Sequence, residues 1–149
     1  MLTGNYDKIK LKNHINDLIS GKIKTLEFYL NFTLDASKDL KKTAKYDSFR
    51  EEMQEEIYHL DRRMATLKAM QQKMKKVSTS ETGYVQLGSL VITNKARFYI
   101  SVSLGEFFYD DVRFYAISEE SPMAQMMKGR KTGEEFILNN IHQKIDKIL

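Results

Sequence analysis

Cysteine is absent from the 149-residue chain. That removes a disulfide framework, a thiolate zinc site and a cysteine nucleophile together, and with them any condensing or acyl-transfer enzyme that works through a thioester. Tryptophan is absent too, and proline occurs once, at Pro122. No apolar run approaches the ~20 residues that a bilayer span requires. The opening Met1-Leu2-Thr3-Gly4-Asn5-Tyr6-Asp7 carries no apolar signal region, so a cytoplasmic protein with no membrane partner is expected. Neither a glycine-rich phosphate loop nor a nucleophile elbow nor triad spacing is found, and Arg130-Lys131-Thr132-Gly133 has too few glycines to cradle a phosphate. His14, His59 and His142 stand apart from one another and from any ligand cluster, so no metal or catalytic role is expected of them.

Glycine and proline are also missing from residues 46–74, and there the strongest pattern appears. Tyr46, Met53, Leu60, Leu67 and Met74 recur every seven residues, with Phe49, Ile57, Met64 and Met70 in the adjoining stripe. Four unbroken heptads predict a long helix with one narrow apolar seam. At ~1.5 Å per residue it is on the order of 45 Å long, too long to sit inside a small globule. It must lie along a partner, and the preceding stretch supplies one. Over residues 6–37, Ile15, Ile19, Ile23, Leu26, Leu30 and Leu34 follow spacings of three and four, with Phe28, Tyr29 and Phe32 thickening the seam at its distal end. Two consecutive helices with a short connection predict an antiparallel hairpin.

After Val77 the texture changes. The polar run Ser78–Gly83 reads as a linker, and short alternating runs follow: Val85, Leu87 and Leu90–Ile92; then Phe98, Ile100, Val102 and Leu104; then Val112, Phe114 and Ala116. Ser121-Pro122 reads as a helix start, with a short helix Met123–Lys128 ending at Gly129. Glu135–Leu138 and Gln143–Ile148 make two last strands around Asn139-Asn140. The expected fold is therefore α+β: a coiled-coil hairpin over 1–77, then a small antiparallel sheet of about five strands with one short helix over 78–149.

Charge divides along the same line. Residues 1–77 hold 16 Lys and Arg against 11 Asp and Glu, and residues 78–149 hold 8 against 9. A basic hairpin on a near-neutral lobe suits a partner containing nucleic acid, and suits equally a lysine-rich solvated helix surface.

Two segments resemble one known family. The stretch Asp39-Leu40-Lys41-Lys42-Thr43-Ala44-Lys45-Tyr46-Asp47-Ser48-Phe49-Arg50-Glu51 resembles the coiled-coil tip of the Gre transcript-cleavage factors, whose pattern is D-L-x-E-N-A-E-Y. The stretch Ser121-Pro122-Met123-Ala124, continuing through Gly129-Arg130 to Gly133-Glu134, is similar to that family's S-P-x-A-x-x-L-x-G-K-x-x-G-D/E signature. The resemblance covers the chain from about residue 10 to its end. It implies an FKBP-like lobe that binds RNA polymerase, with Ser121, Pro122, Met123, Gly129 and Arg130 near the gripping surface. It also implies a coiled coil inserted into the secondary channel. In that family two acidic tip residues help to hold a second Mg²⁺ and an attacking water, so that the polymerase cleaves its own backtracked RNA; hard oxygen ligands suit that ion.

Here the first acid is kept as Asp39, whereas Lys42 and Lys45 replace two others. A cation at Lys42 repels Mg²⁺, so polymerase binding is expected with little stimulation of cleavage. The expectation is a regulator that is not itself an enzyme, needs no cofactor beyond polymerase-bound Mg²⁺ in a cleavage-competent case, and meets nascent RNA only indirectly. As a bland reading, Asp39 is an N-cap and Lys38, Lys41, Lys42 and Lys45 are a solvated turn. Two other functions stay open: a prolyl isomerase or chaperone using Phe98, Phe107, Phe108 and Tyr109, and a homodimer built through the seam in place of a monomer.

Overall fold

The structure, a computed structural model, describes residues 5–39 and 44–149. Two long helices come first: α1 is Lys8–Lys38 and α2 is Asp47–Met74, entered through a short 3-10 turn at Ala44–Tyr46. Asp7 starts α1. Its carboxylate accepts the amides of Ile9 at 3.0 Å and Lys10 at 3.2 Å, two donors that the first turn of a helix cannot satisfy internally.

Along α1 the buried apolar side chains are Leu11, Ile15, Ile19, Ile23 and Leu26. From Tyr46 through α2 the inward line is Tyr46, Arg50, Met53, Ile57, Leu60, Met64, Leu67, Gln71 and Met74, in alternating steps of four and three, the spacing of a coiled-coil seam. The helices run antiparallel: Lys8, Lys12 and Ser20 of α1 bond to Ser80, Val77 and Gln71 in turn.

The heptad reading holds with three corrections. Phe49 is exposed and Arg50 takes the inward position beside it. Phe28, Tyr29 and Phe32 do not thicken the seam; they are exposed, because Leu26 and Leu30 on either side already occupy the inward direction. Leu34 is exposed as well.

The sheet has six strands: β1 Leu90–Thr93, β2 Arg97–Ser101, β3 Gly105–Tyr109, β4 Val112–Ser118, β5 Glu135–Leu138 and β6 Ile141–Ile148. Their order is β3-β4-β2-β1-β6-β5. Val85 and Leu87 lie before the first strand rather than in it, and Val102 and Leu104 lie beyond the second. The unforeseen strand is β3, where Gly105 and the unbroken aromatic run Phe107–Tyr109 mask any period-two alternation. The expectation of a wholly antiparallel sheet also fails at one pair: β2 and β4 run parallel, with Phe98 opposite Tyr115. Two hairpins turn through Asp110-Asp111 and Asn139-Asn140, all four with positive φ, the conformation that two-residue hairpin loops demand and that Asn and Asp tolerate.

Both sheet faces are covered. On one, Val91, Phe98, Ile100, Phe136 and Ile145 form a core with Ala124 and Met127 of the short helix α3, Pro122–Met127. On the other, the Tyr6 ring meets Phe114 edge-on at 5.7 Å, and His14 lies 5.0 Å from the Tyr109 ring. The two edge strands are guarded by side chains. His14 Nε2 lies 2.9 Å from the Phe108 carbonyl, which can only accept, so that nitrogen carries the hydrogen. Arg130 donates to the Glu135 carbonyl at 3.3 Å. Filling edge carbonyls in this way removes sites for stray strand pairing.

By internal contacts the chain forms two compact units, Asn16–Gln72 and Met1–Ile15 with Lys73–Leu149. The first two turns of α1 thus belong with the sheet. Among the described residues no helix is long and apolar enough to cross a membrane.

Candidate functional site

Asp39 lies in the turn that ends α1, its amide 3.3 Å from the Ala36 carbonyl and its side chain exposed. It does not cap the second helix, which begins at Asp47. Lys41 and Lys42, with Leu40 and Thr43, lie outside the described residues. Lys38 pairs with Asp35 at 3.9 Å, both largely exposed, and Lys45 stands 5.7 Å from the Tyr46 ring centre. Asp47 is held by Arg50 one turn later. Two of the three described tip carboxylates therefore already face a cation of their own. Such a set does not fit Mg²⁺, which asks for several oxygen ligands free of competing charge. Among the described residues no group of three or more His, Asp or Glu is gathered for a metal.

The second candidate segment surrounds α3. Ser121 is its N-cap, and its hydroxyl oxygen accepts the Ala124 amide at 3.2 Å. Pro122 sits in the first turn and is exposed; its lost N–H is one the helix start never uses. Met123 is half-buried, its sulfur 3.9 Å from the Gln143 amide nitrogen. Gly129 closes the helix at φ +78°, and its amide donates to the Val85 carbonyl at 2.9 Å. Arg130 donates to the Met126 carbonyl at 2.8 Å, while its own carbonyl accepts from Val85. Four of these five residues have an internal bonding role, leaving Pro122 as the one that offers only surface.

Two lysines that the sequence pattern gave no reason to single out organise the exit from α2. Lys8, only 5% exposed, donates to the Ser80 carbonyl at 2.6 Å, and Lys12 donates to Val77 at 2.7 Å. Both carbonyls lie beyond Met74, the last residue of α2, so the ammonium groups supply donors to backbone acceptors of the connecting segment. Burial holds the Lys8 ammonium below its ordinary pKa, with nearby Glu81 working the other way.

The aromatic residues expected to line an isomerase pocket do not converge. Phe98 pairs with Tyr115 and Phe107 with Phe114. Adjacent residues of a strand point to opposite faces, so Phe98 and Phe107 lie on opposite sides of the sheet. Phe107 is stacked on Phe114 at 5.4 Å, and Phe108 is exposed beneath the Arg113 guanidinium.

No family model matches the sequence, and no curated protein does. Among solved structures, the chain is similar to one described as the structure of the transcription factor Gfh1. Identity is 14%, the TM-score is 0.37, and the alignment covers 89% of this chain and 92% of that one.

Proposed function

We propose that the protein is a Gre-type transcription regulator. Its sheet unit binds RNA polymerase and its helical hairpin enters the secondary channel, occupying that path without assembling a cleavage-competent metal set. It is not itself an enzyme, has no cofactor of its own, and meets nascent RNA only inside the elongation complex. One observation carries the reading. The Ser121–Glu134 segment, similar in sequence to the family signature, folds as a capped helix closed by a left-handed glycine. It follows two antiparallel helices, and the second similar segment, Asp39–Glu51, runs in sequence from the end of α1 into the start of α2. The inhibitory side of the proposal is supported by Asp35 and Asp47, each bound to a neighbouring base, and by Lys42 in place of an acid.

The test mixes the protein with stalled, backtracked RNA polymerase and follows binding and RNA shortening together. Binding with little shortening is expected, and Lys42→Glu should raise shortening. Vigorous cleavage by the natural chain would overturn the inhibitory reading. Absence of binding would overturn the whole assignment.

A further inference from the structure

Phe28, Tyr29 and Phe32 are 65%, 53% and 66% exposed on α1. The Phe28 ring stands 6.5 Å from Phe32, stacked within 20°, and 5.7 Å from Tyr29, edge-on. Leu26 and Leu30, two residues to either side of Phe28, turn inward, so the cluster occupies the side of α1 away from the seam. Three aromatic rings in mutual contact on one exposed helix face form a contiguous apolar patch of the kind that serves as an interaction surface.

We propose that this cluster is a protein-docking face that seats an uncharged, apolar wall of the partner the hairpin enters. It rests on the functional reading above, and the partner is therefore RNA polymerase. Area argues against a second copy of the chain. Three such rings expose roughly 300–400 Å², so two patches face to face fall short of the ~1,200 Å² at which stable pairs begin. A patch of that size contributes when a larger surface already surrounds it, as a channel would. Charge argues against nucleic acid or an anionic membrane. The same side of α1 carries Lys24 and Lys38 against Asp35, which already pairs with Lys38, so the surplus among these three is a single positive charge, far short of the several phosphate contacts that nucleic-acid binding uses. Position agrees as well: Phe32 is six residues before the end of α1, about 9 Å of helix rise, so the belt follows directly behind the tip.

The experiment measures affinity of the full chain for a stalled polymerase elongation complex by competition against a labelled copy. Phe28→Ser with Phe32→Ser should weaken binding at least tenfold with the melting temperature unchanged. Phe28→Leu with Phe32→Leu, which keeps the face apolar, should retain most of the affinity and guards against a folding defect in the serine pair. Equal affinity of the serine pair and the natural chain would overturn this inference and leave the functional reading standing. No binding by the natural chain would overturn both. A natural-chain dimer in sedimentation that the serine pair dissolves would reassign the face to self-association. Loss of binding to a single-stranded RNA oligonucleotide in that pair would reassign it to nucleic acid.

Discussion

The Ser121 hydroxyl receives the Ala124 amide hydrogen at 3.2 Å, within the segment that carries the family resemblance. The same side chain therefore has a stability role that any binding role must be separated from. Ser121→Ala should cost about 1 kcal/mol in a urea melt, the usual loss when an N-cap oxygen is removed. Ser121→Asp should keep the cap and most of that stability. If polymerase binding is lost in both, the hydroxyl matters for contact; if only in the alanine variant, the cap alone explains it.

The Tyr99 hydroxyl is buried and finds no hydrogen-bond partner among the described residues, and burial pushes its pKa up to about 12. Because the folded state favours the neutral phenol, ionisation in the unfolded chain above pH 10 draws the equilibrium toward unfolding. Stability should fall between pH 10 and 12, by roughly 2–3 kcal/mol in all. Tyr99→Phe should abolish this fall and raise stability at neutral pH by about 1 kcal/mol, since an unmade bond is removed. Paired denaturant titrations at pH 7 and pH 11 test both.

Lys8 acts in the opposite sense. Its pKa is lowered on folding, so the unfolded chain binds the proton more tightly in the window just below 10.5. Stability from this group should rise as pH climbs from the lowered value toward 10.5. Lys8→Met should flatten that rise, yet lose the bond to Ser80. A pH series that shows no difference in slope between the two chains would refute the assignment.

Gly88 and Gly129 both have positive φ, but only Gly88 is crowded. A Cβ there would stand 3.0 Å from the Ser78 carbonyl oxygen, whereas at Gly129 it would meet nothing within 4 Å. Gly129→Ala should cost ~1–2 kcal/mol from backbone strain alone. Gly88→Ala adds the displacement of backbone and should cost roughly 2–4 kcal/mol. Thermal melts of the two variants should rank them in that order.

Gln71 donates to the Ser20 hydroxyl at 3.3 Å across the helical pair, a polar step in an otherwise largely apolar seam. Gln71→Leu should raise the hairpin's stability by about 1 kcal/mol, because Ser20 can turn to its own helix carbonyl instead. The gain should come with weaker register specification, visible as broadened amide signals along α1.

Much of this was legible before any coordinates. The heptads from Tyr46 to Met74, the Ser121-Pro122 start, the Gly129 stop and the Asn139-Asn140 turn are local events. Each is set by side-chain spacing or by the backbone preferences of one or two residues, and each stands where the sequence places it. What needed the tertiary structure was contact between distant segments. The parallel pairing of β2 with β4, the capture of Val77 and Ser80 carbonyls by Lys12 and Lys8, and the outward turn of Phe28, Tyr29 and Phe32 depend on which neighbour fills the space first. Periodicity states that a side chain is apolar and where it recurs; only packing determines which of several apolar candidates obtains the limited room on the inner face.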